Sequence, residues 1–288
     1  MGTLLLGCDF SSAPTARKPI VVATGELASD VVRLSGFQYF DSLEAWGRWL
    51  AEAPAWVGGF DFPFGLPREL VVRLGWPLHW DALIAHYIQL DRAAIREHFV
   101  AFCAARPVGG KFAHRATDGP AGSSPSMKWV NPPVAYMLHA GVPRLLAAGA
   151  ALPGLHRPAT SAASAAVAAT AKGAERVALE AYPGLLAREL IGRRSYKSDE
   201  RQKQTPDRAA ARALLLAALE QGTSRLGLRL GLEAAQRMEL QHDAQGDRID
   251  AVLCLIQAAW GFQRSASPGP GYGLPRDIDP LEGWIVTA

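Results

Sequence analysis

The sequence predicts an α/β fold: a mixed sheet, an antiparallel meander followed by parallel strands, flanked by helices and carrying a large, mainly helical insertion. Three observations predict it. Two short apolar runs, residues 4–9 and 55–61, each end on an aspartate and run into turn residues, which is the pattern of buried strands. The first three strand-like segments lie too close together for parallel crossovers, so they pair antiparallel. A helix-patterned stretch then precedes the fourth strand, the connection that parallel pairing requires.

The elements follow in order. Leu4-Leu5-Leu6-Gly7-Cys8-Asp9 is the first strand, and Ser11 to Pro19 is turn chemistry. Residues 20–24 and 31–34 are β-branched and apolar, with a turn at Gly25 between them. Asp41-Ser42-Leu43 opens a helix to about Ala53, with Leu43, Trp46, Trp49 and Leu50 on one face. The run ending at Asp61 is the next strand. Residues 70–74, 80–90, 93–103 and 133–148 read as helices, around a Gly-, Ser-, Pro- and base-rich loop at 107–133. A loop of that length inside a compact domain is functional or disordered. The Ala/Ser/Thr-rich stretch 159–171 reads as a weakly specified helix or a linker. Residues 176–182 form a strand stopped by Pro183, with Ala178, Glu180 and Tyr182 on one face. Residues 193–203 are a basic, polar loop. Thr205 caps a helix to about Glu220, with Pro206 at its first position. A last helix runs from near Asp247 to near Gly261, and residues 283–287 read as a terminal strand. The whole chain, 1–288, is read as one domain, with its core in 1–66 and 176–288 and the insertion in 67–175.

Composition narrows the class. Apolar residues make up 49% of the 288 and charged residues 20%, an ordinary globular balance with ample core. A net charge of +3 neither demands nor excludes a nucleic-acid partner. Cys8, Cys103 and Cys254 are odd in number and contain no C-x-x-C pair, so neither a disulfide framework nor a zinc site is expected. No basic stretch leads into a long apolar run, and no segment approaches the roughly 20 apolar residues of a membrane span. The expectation is a cytoplasmic chain with no membrane partner. Oligomeric state is not legible.

The chemistry lies in the acids. Asp9 and Asp61 end strands, where an open α/β sheet presents its site. Asp247 and Asp250 are three apart at the start of the last helix and share a face. Below them Ala251, Cys254 and Ala258 form a small-residue stripe that allows close packing on a sheet. The set is therefore Asp9, Asp61 and Asp250, supported by Asp247 or Glu180. Each residue also has a structural reading. Asp247 fits a helix N-cap and Asp250 a first-turn acid. Asp61 fits a turn former, and Glu180 fits a strand residue salt-bridged to a basic neighbour. Asp9 is the hardest to dismiss, because a carboxylate after a buried strand needs a partner.

The order of these pieces resembles the ribonuclease H-like fold of polynucleotidyl transferases. Within that fold the chain looks most like the uncharacterised group of predicted RNase H-like nucleases, a domain of unknown function. The matching pieces are Gly7-Cys8-Asp9-Phe10-Ser11, Gly59-Phe60-Asp61-Phe62-Pro63-Phe64-Gly65-Leu66-Pro67, Glu180-Ala181-Tyr182-Pro183 and Asp247-Arg248-Ile249-Asp250-Ala251. The resemblance implies a metal-dependent nuclease, a phosphodiester hydrolase acting on nucleic acid or another phosphate-containing substrate. Its chemistry suits Mg2+ or Mn2+ in pairs about 3.5–4 Å apart. Asp9 would bridge both ions, Asp61 and Asp250 would each hold one, and Glu180 or Asp247 would complete a shell or position water.

Two basic segments are candidates for phosphate contact. In the long loop the favoured residues are Lys111, Arg115 and Lys128, with Trp129 as a base-stacking candidate. In the second segment the favoured residue is Lys197. His114 and His242 lie near these segments, but a lone histidine is usually no ligand. Two other function classes stay open. An actin-like or sugar-kinase ATPase would need a second glycine-rich phosphate loop, which Gly58-Gly59-Phe60-Asp61 matches poorly. A non-catalytic module binding nucleic acid or protein would keep the fold without the metal.

Overall fold

The computed structural model describes residues 3–158 and 175–288. One seven-stranded mixed sheet runs through it in the order β5-β6-β4-β1-β2-β3-β7. β1 (Leu4–Asp9), β2 (Ile20–Ala28) and β3 (Val31–Phe40) form the antiparallel meander. β2 and β3 run longer than the apolar pattern predicts, because polar residues such as Glu26, Arg33 and Gln38 interrupt it while the ladder continues.

Helix α1 (Leu43–Glu52) starts where the Ser42 hydroxyl accepts from the Ala45 N–H at 3.2 Å. It buries Trp46 and Leu50 and returns the chain so that β4 (Trp56–Phe60) joins parallel to β1. Helices α2 (Arg68–Arg73), α3 (Trp80–Tyr87), α4 (Arg92–Ala104), α5 (Asp118–Ala121) and α6 (Val134–Ala147) follow. The stretch read as an insertion also reaches the sheet: β5 (Ala150–Ala151) pairs parallel with β6 (Arg176–Glu180), and β6 pairs parallel with β4.

After β6 come α7 (Pro183–Ile191), a short 3-10 turn at Arg201–Lys203, α8 (Pro206–Gln221), β7 (Arg229–Gly231), α9 (Ala234–Gln241) and α10 (Asp247–Gln263). Several expectations need correction here. The strand ends at Glu180, and Pro183 opens α7 with its fixed φ at the first helical turn. Thr205 flanks α8, but its side chain makes no capping bond. Residues 283–287 form no strand, although the Val286 N–H donates to the Glu180 carbonyl at 2.8 Å. The stretch 159–171, read as a weak helix or linker, lies outside the described residues.

The sheet has a helical layer on each face. Leu6, Cys8, Phe60 and Ala178 point to one face, into a core shared with Trp46, Leu50, Leu83, Phe99 and Leu138. Leu5, Val57, Val177 and Leu179 point to the other face, packed against α10, α7 and α8. Helix α10 is buried over most of its circumference, as a helix sandwiched between sheet and outer helices must be. It lies unusually close to β1 and β4. A Cβ on Gly7 would overlap the Ala251 carbonyl and the Leu255 N–H, and one on Gly59 would overlap the Cys254 carbonyl. Among the described residues no helix is long and apolar enough to cross a membrane.

Candidate metal centre

The site begins with strand register. In the parallel β1–β4 ladder Gly7 pairs with Gly59 and Cys8 with Phe60. The next residues are Asp9 and Asp61, and the Asp61 N–H donates to the Cys8 carbonyl at 3.0 Å. Side chains alternate along a strand, so both aspartates point to the face that carries α10.

Helix α10 brings the third acid. Its first turn is capped by Asp243, whose carboxylate accepts from the N–H groups of Arg248 (2.9 Å) and Ile249 (3.0 Å). Gly246 occupies the N-cap position in the left-handed region. Asp247 is therefore not the cap, and both Asp247 and Asp250 are left for other work. The close approach over Gly7 and Gly59 sets Asp250 beside the strand ends. Asp9, Asp61 and Asp250 each offer a carboxylate oxygen, all within 4.8 Å of one another.

Electrostatics follow from this crowding. Asp250 is fully buried. Burial, and then the Asp250 charge, push the Asp61 carboxyl from 3.8 up to about 7. The same causes push Asp9 well above its ordinary value, with Lys197 pulling the other way. Burial opposes the charge on Lys197, yet Asp250, Asp9 and Asp61 together hold its ammonium above the usual lysine value. The Lys197 ammonium ion-pairs with Asp250 Oδ2, and the Tyr196 hydroxyl donates to Asp250 Oδ1.

The donor set fits a hard divalent cation. All three ligands are carboxylate oxygens, the preference of Mg2+ and Mn2+. Lys197 already stands in as a cation among them. The buried thiols of Cys8 and Cys254 are pushed up by burial and by these acids, so neither offers a thiolate.

Other predicted residues fall elsewhere. Asp247 sits one turn before Asp250, half-buried, in a cleft with Asp9, Ser11, Ser12, Lys18 and Lys197. Glu180 pairs with Phe60 in the ladder, so it points to the opposite face from Asp61. There it accepts from Arg115 Nη2 at 2.6 Å and from the Phe64 N–H at 3.0 Å. Glu180 is thus a partner in a buried ion pair rather than a member of the acid cluster. Arg115 is corrected with it. It is 3% exposed, spans Glu180 and Asp118, and donates to the Glu282 carbonyl at 3.0 Å, which leaves no free edge for a phosphate.

Lys111 is exposed in a separate depression with Arg106, Phe112 and His114. Lys128 is half-buried, and its backbone ties Pro125 to Ala135. Neither lysine lines the clefts beside the acids. Trp129 packs on Phe112 and Phe99 instead of standing free for a base. The His242 ring bonds back to the Met238 carbonyl.

The reading of the sequence missed Lys18, Ser11, Ser12 and Tyr196. Lys18 reaches Asp199 at 2.7 Å on the rim of the cleft. Ser11 and Ser12 follow Asp9 directly, a polar step after a strand-ending acid that also fits an ordinary turn. A second cleft opens on the Asp61 side, where the Arg115–Glu180 pair forms part of the wall with Phe62, Ser123, Met137 and Tyr182. Comparison with protein-family models, curated proteins and solved structures finds no match to this chain.

Proposed function

We propose that this chain is a divalent-metal-dependent phosphodiester hydrolase of ribonuclease H-like architecture, acting on nucleic acid. One observation carries the reading: Asp9, Asp61 and Asp250, far apart in sequence, converge their oxygens within 4.8 Å at the ends of two parallel strands. One buried and two half-buried acids that repel in this way are costly for the fold, and a cation-binding role accounts for keeping them. Asp9, Asp61 and Asp250 would hold Mg2+ or Mn2+. The bound ion would acidify a water and offset charge on the leaving oxygen.

The chain's own residues supply the rest. Asp247, half-buried in the Asp9 cleft, is placed to accept a proton from water entering there. Lys18, Ser11 and Ser12 line the same cleft and offer one charged and two neutral donors to phosphate oxygens. Phe62, Met137 and Tyr182 give the Asp61 side a mainly apolar wall that suits a sugar or base. The test is cleavage of single-stranded, duplex and branched DNA and RNA with and without Mg2+, for the wild type and Asp9→Asn. Metal-dependent cleavage that disappears in the variant is the expected result. Undiminished cleavage by Asp9→Asn would sink the assignment.

A second reading, a non-catalytic module on the same fold, is favoured by the Lys197–Asp250 ion pair. A lysine fixed permanently among the acids would leave them structural.

A further inference from the structure

Lys197 and Tyr196 hold the same carboxylate, but they are held very differently themselves. Tyr196 is buried, and its carbonyl accepts from Arg212 Nη1 at 2.8 Å. The Lys197 side chain is 42% exposed, while the Asp250 it pairs with is 1% exposed. Its stem runs over Gly246, where a Cβ would collide with it, and the residue lines the cleft of Ser11, Ser12 and Lys18. The backbone on its far side is fixed by the Ser198 N–H donating to the Ala244 carbonyl at 3.0 Å. Part of the side chain therefore meets solvent while the segment that carries it is anchored.

We infer that Lys197 is the exchangeable counter-ion of the acid cluster, holding the charge of Asp9, Asp61 and Asp250 and giving way to a divalent cation. This rests on reading those three acids as a cation site. An ammonium bonded to Asp250 and a divalent ion held by the same carboxylate repel each other at short range, so the two occupy the cluster in alternation. On leaving, Lys197 turns into the cleft it already lines. There its ammonium joins Lys18 as a second donor for an anionic oxygen. Loading the cluster and preparing the cleft for phosphate are thereby one event, and such coupling is reciprocal.

The experiment is a Mg2+ titration of the wild type and Lys197→Met by calorimetry. It is paired with NMR detection of lysine Nζ in 15N-lysine-labelled wild type, the Lys197 signal being identified by its loss in Lys197→Arg. Lys197→Met should bind Mg2+ about tenfold more tightly than the wild type, and the wild-type Lys197 signal should shift and broaden as Mg2+ is added. If Lys197→Met does not fold, the wild-type NMR titration decides alone. Mg2+ binding that leaves the Lys197 signal unmoved overturns the exchange and leaves the metal site standing. Absence of Mg2+ binding by both proteins overturns the metal site and the exchange together.

Discussion

Asp9 and Asp61 follow one another across a parallel ladder, each one residue beyond the paired Cys8 and Phe60, and a single backbone bond from the Asp61 N–H to the Cys8 carbonyl at 3.0 Å ties their levels together. The two backbones therefore cannot move apart without breaking the sheet, and both carboxyls meet repulsion from the charge of Asp250.

That repulsion separates function from stability in the Asp9→Asn variant. Its Mg2+-dependent hydrolysis should fall by more than about a hundredfold. Its Tm without metal should rise relative to the wild type as pH increases, because the amide cannot take on the charge that burial and Asp250 disfavour. Calorimetric scans and a cleavage assay check both halves. A variant that lost stability along with activity would contradict the electrostatic account.

The Asp61 shift sets a pH dependence. Its folded-state value of about 7 lies above its ordinary 3.8, so the native state keeps a proton that the unfolded chain has released between those values. Metal-free stability should then fall as pH rises from about 4 to 7. Saturating Mg2+ should flatten that slope, since the cation favours the ionised form. Urea unfolding at a series of pH values, with and without Mg2+, measures this directly.

Arg115 should behave as a structural residue. Arg115→Ala leaves Glu180 and Asp118 buried without their partner and should destabilise by about 3–5 kcal/mol. Arg115→Ala that still folds should retain its affinity for Mg2+, as read by calorimetry. Loss of metal binding in a folded variant would place Arg115 nearer the chemistry than its contacts indicate.

Lys18 should do the opposite. Its pair with Asp199 is exposed on both sides, so Lys18→Ala should leave the unfolding midpoint unchanged. Binding of an oligonucleotide should weaken uniformly across sequences, and the dependence of log K on log salt should lose about one unit of slope. An unchanged salt slope would remove Lys18 from the phosphate path.

Much of this was readable along the chain, for physical reasons that differ by residue. Asp9 and Asp61 stood out because a carboxylate after a buried strand is conspicuous. Asp250 was legible because helix spacing puts it on a known face. Glu180 was placed on the correct strand face relative to Ala178, but strand alternation cannot say which face α10 covers. That depends on the path of the whole chain. Arg115 looked like a solvated loop base because its partner Glu180 lies 65 residues away. Lys197 was noticed for its charge, while its pairing with Asp250 spans 53 residues and leaves no local trace. β7 and α9 were missed because three residues and two turns are too short to carry a period.

The glycines two positions before Asp9 and Asp61 bear on how such a site can be copied. Gly7→Ala should cost at least about 2 kcal/mol by overpacking and should also weaken Mg2+ affinity, although residue 7 touches no ligand. Placing three aspartates at equivalent strand and helix positions of another protein would not reproduce the centre if side chains held its helix at the ordinary distance. The portable unit is five residues, two of which have no side chain.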